Sequence, residues 1–350
     1  MTKRTTYETL NGIRGAAAIC VVIFHMHASF WPEQALSGYL AVDIFFVLSG
    51  FVLADAYGAK FAEGSLSTAR FATMRLIRFY PLYLAGLALG IVKVLAQQGT
   101  GSENALPIAS VPGAIASALL FLPAVGTSLT NIAPLNVPAW SLLYEFWVNV
   151  VWATISRRFT APAQLVTALI AGAVFAGFAI SAGNANLGPS WDGIVGGIAR
   201  TIFSFTMGLL IYRTRAAVGR SSAPWSMLAL LVVFILLFAA PSPSQRVAYD
   251  VVTALMLSPV IVFAASRVEP SEAFRPLFAW LGAISFPLYA IHAPLIAMGI
   301  FVVRKTHVMP QLGGASLLIA LLATAWLGSL IDGWLQKRLK PITARRPPLA

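Results

Sequence analysis

The feature that most constrains the fold of this chain is a series of long apolar segments. Runs of roughly 20 residues recur along the sequence, and a helix needs about that many apolar residues to cross the hydrocarbon core of a bilayer. The chain is 58% hydrophobic and only 10% charged, unlike a soluble globular protein. The runs are continuous and lack the alternation of membrane β-strands. The sequence therefore predicts an all-α fold, a polytopic membrane helical bundle.

Ten spans are predicted, and the charges between them set the topology. The spans are 12–31, 38–57, 79–97, 139–156, 163–181, 193–212, 225–240, 247–266, 277–303 and 313–334. A shorter apolar run, 111–123, is counted as re-entrant or interfacial. With that count, 18 of the 24 Lys and Arg residues fall in loops or tails on one side of the membrane. Because basic loops stay in the cytoplasm, we expect both termini to be cytoplasmic.

The net charge of +12 comes mostly from basic residues in these short loops, as expected of a membrane protein. We therefore expect the chain to interact with the lipid bilayer and not with nucleic acid. Residues 1–340 are predicted to form a single transmembrane domain, and 341–350 a short basic cytoplasmic tail on the anionic inner leaflet. We expect no fused soluble domain. Cys20 is the single cysteine, which excludes an intramolecular disulfide and any site with several thiolate ligands.

Four ionisable residues lie inside predicted spans at similar depth: His25, Asp43, Glu145 and Arg200. Each stands roughly five to eight residues from the outer end of its span. A charge at membrane depth costs at least a few kcal/mol, so a functional site is the first hypothesis. We expect the four to converge in a cavity just below the outer surface, with His25 beside Asp43. The alternatives are structural: an ion pair of Asp43 with Arg200 or His25, or an interhelical hydrogen bond of Glu145.

A second group of charges, Arg14, Arg75 and Arg78, lies near the predicted cytoplasmic face. The i, i+3 spacing puts Arg75 and Arg78 on one face of a helix. Guanidinium groups offer fixed forks of donors that suit phosphate-bearing ligands. From spacing alone, ordinary positive charge of cytoplasmic loops explains these residues at least as well.

Three more residues are candidates for the wall of a cavity that holds the acceptor. Tyr289 and His292 are one helical turn apart in SFPLYAIHAPL, and Trp140 opens WSLLYEFW. A buried core histidine is the alternative for His292, and an interfacial aromatic belt is the alternative for Trp140. No H-x-x-x-H or H-E-x-x-H spacing supports a metal site, and no G-x-S-x-G elbow indicates a hydrolase.

Five stretches together resemble the acyltransferase-3 family of integral membrane acyltransferases, which includes O-antigen, nodulation-factor and macrolide acylating enzymes. They are LNGIRGAAAICVVIFH, GYLAVDIFFVLSGFVL, RFATMRLIRFYPLY, WSLLYEFW and SFPLYAIHAPL. Arg14 and His25 reproduce the family's pattern of an arginine, ten residues and a histidine. Arg75 and Arg78 reproduce its Arg-x-x-Arg pattern.

The resemblance implies a bacterial cytoplasmic (inner) membrane enzyme that moves an acyl group from cytosolic acyl-CoA to a hydroxyl group. Acyl-CoA, most simply acetyl-CoA, is the implied co-substrate, and no cofactor is permanently bound. A glycan or another hydroxyl-bearing molecule is the implied acceptor. Arg14, Arg75 and Arg78 are then expected to bind the phosphates of CoA.

The resemblance also suggests roles for the deeper residues. His25 would act as general base on the acceptor hydroxyl or carry the acyl group transiently. Asp43 would orient His25, and Glu145 would bind the acceptor or share the base role. Arg200 would hold a carboxylate or steady oxyanion charge. The alternative function is a transporter or flippase with a buried His/Asp/Glu/Arg relay; the arginine group favours the enzyme, since a proton relay needs no phosphate site.

Overall fold

The computed structural model describes residues 7–26, 35–102, 105–126, 130–214, 221–222, 224–306 and 309–344. The strands among these residues are a single parallel pair, β1 (Ser221–Ser222) and β2 (Val268–Glu269). Helices make up most of the rest, as the prediction of an all-α polytopic membrane protein requires.

The helices follow the predicted spans. They are α1 (Glu8–His25), α2 (Ala41–Ala62), α3 (Thr68–Gly99), α4 (Val111–Leu119), α5 (Ala139–Ile155), α6 (Ala161–Ala182), α7 (Ile194–Arg213), α8 (Trp225–Phe238), α9 (Pro243–Val252), α10 (Ser258–Ala265), α11 (Arg275–Thr306) and α12 (Pro310–Ala344). A π turn at Thr253–Leu257 joins α9 to α10, so that together they correspond to the eighth predicted span.

Seven of the described helices are long and apolar enough to cross a membrane, with α9 and α10 counted together. Three predicted spans fall outside these seven, on α1, α5 and α8, which have 18, 17 and 14 residues. The total of ten spans therefore stays a prediction. Residues 27–31 of the first predicted span and 345–350 of the predicted tail lie outside the described residues, and α12 continues through 341–344.

Glycines bring the central helices into close contact. A Cβ atom at Gly15 of α1 would collide with the backbone carbonyl of Leu281 on α11, and one at Gly50 of α2 with that of Phe205 on α7. Small residues allow membrane helices to approach at backbone distance, where van der Waals packing is strongest. The pairs α1–α11 and α2–α7 consequently form the centre of the bundle.

Prolines within two helices release carbonyl groups that other elements bind. Proline lacks an N–H, so the carbonyl four residues earlier loses its helical donor. Pro81 frees the carbonyl of Ile77, which accepts from Gln336 Nε2 at 3.1 Å. Pro294 frees that of Ala290, which accepts from Asn136 Nδ2 at 2.8 Å. These bonds fasten α12 to α3, and the segment before α5 to α11.

The loops gather at two ends of the bundle. At one, which we call the arginine end, α1 begins and Thr9 Oγ1 donates to Val268 O at 2.7 Å. At the other, the histidine end, α1 finishes and Ser37 N donates to Leu237 O at 3.1 Å. Successive predicted spans run in opposite directions between these ends. The assignment of the arginine end to the cytoplasm remains a prediction.

The segment around α4 enters the bundle and turns back. Phe121, just after α4, is 1% exposed and stacks on Tyr83 of α3 at 4.5 Å between ring centroids. It also packs against Phe79, further from the histidine end. The chain then returns to the histidine end, where Ile132 N donates to Pro189 O at 2.9 Å. This path supports the re-entrant interpretation of 111–123.

Candidate active site

A cavity of about 390 Å³ lies inside the bundle between α1, α2, α3, α5 and α11. Its wall follows α2 from Asp55 to Val42, a length of about 20 Å at the rise of an α-helix. Tyr289 and Ser141 line it towards the histidine end. The guanidinium-bearing residues in the wall are Arg14, Arg75 and Arg78. The volume lies within the usual range for small-molecule sites.

Arg14 is fixed by neutral partners. Its Nε donates to Ser285 Oγ at 2.9 Å, and its Nη2 donates to Gly282 O at 3.0 Å. Among the ion pairs of the described residues, none involves Arg14. Arg14 therefore presents a positive charge to the cavity without a carboxylate in direct contact.

Arg75 is held by Glu145, whose Oε1 accepts from Arg75 Nη2 at 3.0 Å and from Ser49 Oγ at 2.8 Å. The guanidinium carbon lies 4.4 Å from the centroid of the Phe79 ring. Arg75 Nε is buried and has no hydrogen-bond partner in the described part of the chain. A buried donor left without a partner is costly, so the site favours a ligand that accepts from it.

Arg78 pairs with Asp332 of α12, at 2.5 Å between Nη1 and Oδ2. Its guanidinium carbon lies 5.1 Å from the centroid of the Phe286 ring. Its side chain is 40% exposed, against 14% for Arg75. Both residues line the same cavity, as their i, i+3 spacing predicts.

His25 lies at the end of α1, next to His292 of α11. Its Nδ1 is 2.8 Å from Val21 O and 3.4 Å from His292 Nε2. His292 is fully buried, and its Nδ1 is 2.9 Å from Tyr289 O and 3.2 Å from Leu288 O. The two histidines therefore form one contact pair at the histidine end.

The expected pairing of His25 with Asp43 is wrong. Both oxygens of Asp43 accept from Arg200, Oδ1 from Nε at 3.0 Å and Oδ2 from Nη2 at 2.5 Å. Nη1 of Arg200 donates to the carbonyls of Ala185 and Leu187. Asp43 and Arg200 are both 0% exposed. A bidentate arginine satisfies a buried carboxylate more completely than a histidine can. The observed pairing is therefore the alternative prediction, an ion pair of Asp43 with Arg200.

The expected depth of Glu145 is also wrong. Glu145 contacts Ser49, which follows Asp43 by six residues, about 9 Å along α2. Glu145 therefore lies nearer to the arginine end than Asp43 and shares the cavity with the arginines. The four ionisable residues do not converge in one layer; they divide between the cavity wall, the histidine pair and the buried ion pair.

Of the three residues predicted to line a cavity, Tyr289 does so. Its hydroxyl is 2.6 Å from Ser141 Oγ and 3.0 Å from Pro138 O. The rings of Tyr289 and His292 are 5.7 Å apart between centroids, but neither His292 nor His25 is among the residues that line this cavity. Trp140 is buried against Gly188 and Phe46 and is absent from this cavity wall, so its predicted place there is wrong.

Sequence reasoning missed polar residues that line the cavity or hold its arginines. Ser141 and Ser285 line it, and Asp332 fixes Arg78. Ser141 precedes Glu145 by four residues, and Ser285 precedes Tyr289 by four. Since residues four apart share a helix face, this spacing was a usable signal for both serines. Asp332 is an acidic residue near the end of the predicted span 313–334 and was available as a partner for a basic residue.

Comparison with known proteins identifies the family of this chain. The family model described as "Acyltransferase domain" matches residues 7–331. A curated relative, "Protein 2 in picA locus" of Rhizobium radiobacter, is 44% identical over 176 residues, which cover 47% of this chain and 90% of that protein.

A second relative is "Acyltransferase MdmB" of Streptomyces mycarofaciens, 32% identical over 148 residues. This match covers 39% of the chain and only 36% of that protein. No solved structure matches this chain. Because the family model spans nearly the whole helical bundle, the chain belongs to the acyltransferase-3 family and is an integral membrane acyltransferase.

Proposed function

We propose that this acyltransferase takes its acyl group from acyl-CoA, most simply acetyl-CoA, and transfers it to a hydroxyl group of a glycan or similar acceptor. The observation that carries the proposal is the cavity itself. Three arginines line it towards one end, and Tyr289, which contacts His292, lines it towards the other. A donor with a phosphorylated head and a reactive tail fits this division.

The arginines supply the site for the phosphates of the donor. Arg14 carries a charge with no carboxylate partner among the described residues, and Arg75 has a buried Nε without an acceptor. Phosphate oxygens accept charge-assisted hydrogen bonds from guanidinium groups and are favoured over neutral ligands. Glu145 and Asp332 hold Arg75 and Arg78 in place before the donor binds.

The acyl end of the donor is directed towards the histidine pair. Arg14 and His25 are eleven positions apart on α1, roughly 16 Å along the helix axis. This is about the length of the pantetheine arm. His25 and His292 are not among the residues that line the cavity, but Tyr289 lines it and contacts His292. The proposed path of the thioester to His25 therefore passes the Tyr289 ring.

In the simplest mechanism His25 is the general base. Its Nε2 takes the proton of the acceptor hydroxyl as the hydroxyl oxygen attacks the thioester carbonyl. The C–S bond then breaks, and the CoA thiolate leaves with the proton that His25 held. Attack by Nε2 itself, which gives a transient acyl-histidine that the acceptor then resolves, is the second route. Both routes need a neutral His25 with a free Nε2.

Charge distribution supports a direction of transfer. The arginine end carries most of the basic loops, as expected of a cytoplasmic face, and cytosol is the source of acyl-CoA. His25 lies at the opposite end. We therefore place donor binding at the cytoplasmic face of a bacterial inner membrane and the acceptor at the far side of the bundle.

The test is acyl transfer by purified, reconstituted protein with radiolabelled acetyl-CoA and a panel of glycans. Wild type is expected to release CoA and to fix label on a glycan hydroxyl, while His25→Ala does neither. Arg14→Gln is expected to raise KM for acetyl-CoA about tenfold or more, since a charge-assisted hydrogen bond contributes roughly 1.5–3 kcal/mol. Arg158→Gln, an exposed arginine at the same end, is the matched control.

Three results would count against the proposal. Turnover by His25→Ala would exclude it as base and as acyl carrier. Equal KM values for Arg14→Gln and Arg158→Gln would remove the phosphate site. Failure of folded wild-type protein to bind any acyl-CoA would reject this donor altogether. Melting curves of each variant in the same nanodiscs distinguish loss of function from loss of fold.

A further inference from the structure

The two histidines lie on helices that approach each other at backbone distance. His25 is on α1 and His292 on α11, and these helices meet through Gly15, where a Cβ atom would strike the backbone of Leu281. The ring centroids of the two histidines are 5.0 Å apart. The two rings therefore meet across a close contact between α1 and α11.

The neighbours of His292 determine which of its nitrogens holds hydrogen. Nδ1 lies near two backbone carbonyls, Tyr289 O at 2.9 Å and Leu288 O at 3.2 Å. Carbonyl oxygens only accept, so Nδ1 carries the hydrogen and donates it. In a neutral imidazole the other nitrogen is then an acceptor. His292 Nε2 consequently presents a lone pair, and it points at His25.

The same reasoning assigns the hydrogen of His25. Its Nδ1 lies 2.8 Å from Val21 O and 3.4 Å from His292 Nε2, which presents a lone pair. Two acceptors around one nitrogen require that this nitrogen is the donor. Nε2 of His25 is thereby left without hydrogen, which is the form that a general base or a nucleophile needs.

We propose that His292 is a positioning residue for His25: its Nε2 accepts the longer branch of a bifurcated hydrogen bond from His25 Nδ1, whose shorter branch goes to Val21 O. His292 thereby reinforces the tautomer that Val21 O selects and stabilises the imidazolium that forms during transfer. This proposal deepens the proposed function and rests on it. His292 takes the part that sequence reasoning gave to Asp43, which is occupied by Arg200. When Nε2 takes the acceptor proton, the bond to Nδ1 becomes a bond from a charged donor and strengthens.

The experiment compares His292→Phe with His292→Gln in full-length protein in nanodiscs. Phenylalanine keeps the ring and removes the acceptor, while glutamine keeps an acceptor oxygen near the position of Nε2. His292→Phe is expected to lower kcat about 10- to 100-fold, the loss of one hydrogen bond to a charged group, with little change in KM for acyl-CoA. His292→Gln is expected to recover most of that loss. Wild-type kcat in His292→Phe, or equal loss in both folded variants, would overturn the proposal.

Nitrogen NMR of histidine-labelled protein gives a readout that does not depend on turnover. The chain has four histidines, and the spectra of His25→Ala and His292→Phe assign the two signals. Both residues are expected to be neutral, with hydrogen on Nδ1 and none on Nε2. Hydrogen on Nε2 of either one would overturn the proposal. If no acyl-CoA supports turnover, the proposed function fails while this spectrum still decides the geometry of the pair.

Discussion

At the scale of single residues, Glu145 is paired with an arginine in the cavity wall. Its Oε1 joins Arg75 and Ser49 in the cavity wall, and its side chain is 17% exposed. In that position it lowers the local positive charge of the proposed donor site while it fixes the orientation of Arg75. Glu145 therefore helps to shape the site, but its negative charge weakens the affinity of the site for an anionic donor.

This balance predicts the effect of Glu145→Gln. The amide oxygen still accepts from Arg75, but the negative charge is gone, so an anionic donor meets one more net positive charge. KM for acetyl-CoA is expected to fall roughly three- to tenfold at low salt, and the difference should shrink as salt screens the site. Glu272→Gln, an exposed residue before α11, makes the same charge change away from the cavity and should leave KM unchanged. A higher KM with lower kcat would instead favour a direct role for Glu145 with the acceptor.

At the scale of elements, the ion pair between Asp43 and Arg200 links α2 to α7. Both side chains are fully buried, and Arg200 also binds the segment before α7 through Ala185 O and Leu187 O. Removal of one member of a buried pair leaves an uncompensated charge, which costs about 3–5 kcal/mol. Replacement of both by apolar residues costs far less.

A double-mutant cycle tests this structural role. Asp43→Leu and Arg200→Met are each expected to lower the thermal midpoint strongly, and the double variant is expected to recover much of the loss. If the pair is structural, the folded double variant also retains acyl transfer within about tenfold of wild type. A folded but inactive double variant would return Asp43 or Arg200 to the chemistry, as sequence reasoning expected.

For the whole molecule, the proposed direction of transfer requires that the arginine end faces the cytoplasm. Cys20 is the single cysteine and is buried, so Cys20→Ala provides a background without thiols. On that background, Glu63→Cys between α2 and α3 is expected to react with an impermeant maleimide only after the cells are opened. Asn186→Cys between α6 and α7 is expected to react in intact spheroplasts. The reverse pattern would contradict the predicted orientation and the cytosolic supply of acyl-CoA. Glu63 and Asn186 are both exposed, so a cysteine at either position is open to the reagent.

The sequence by itself determined the helices and much of the cavity wall. Hydrocarbon offers no hydrogen-bond partners, so a spanning backbone must form helices or a closed barrel. The apolar runs here are continuous and lack the alternation of barrel strands, which leaves helices. The i, i+3 spacing of Arg75 and Arg78 places them on one helix face whatever they pack against. The positions of Arg14 and His25 within an apolar span already marked both as candidates.

Only the tertiary structure decided which ionisable groups are partners. Counting residues gives depth along a helix, but it gives neither the rotation of the helix about its axis nor its neighbours. Those depend on backbone contacts such as Gly15 with Leu281 and Gly50 with Phe205, which form between segments far apart in the chain. They turn Asp43 to Arg200, and they place His25 beside His292, because helices settle where small residues permit the closest packing and where every buried charge is matched.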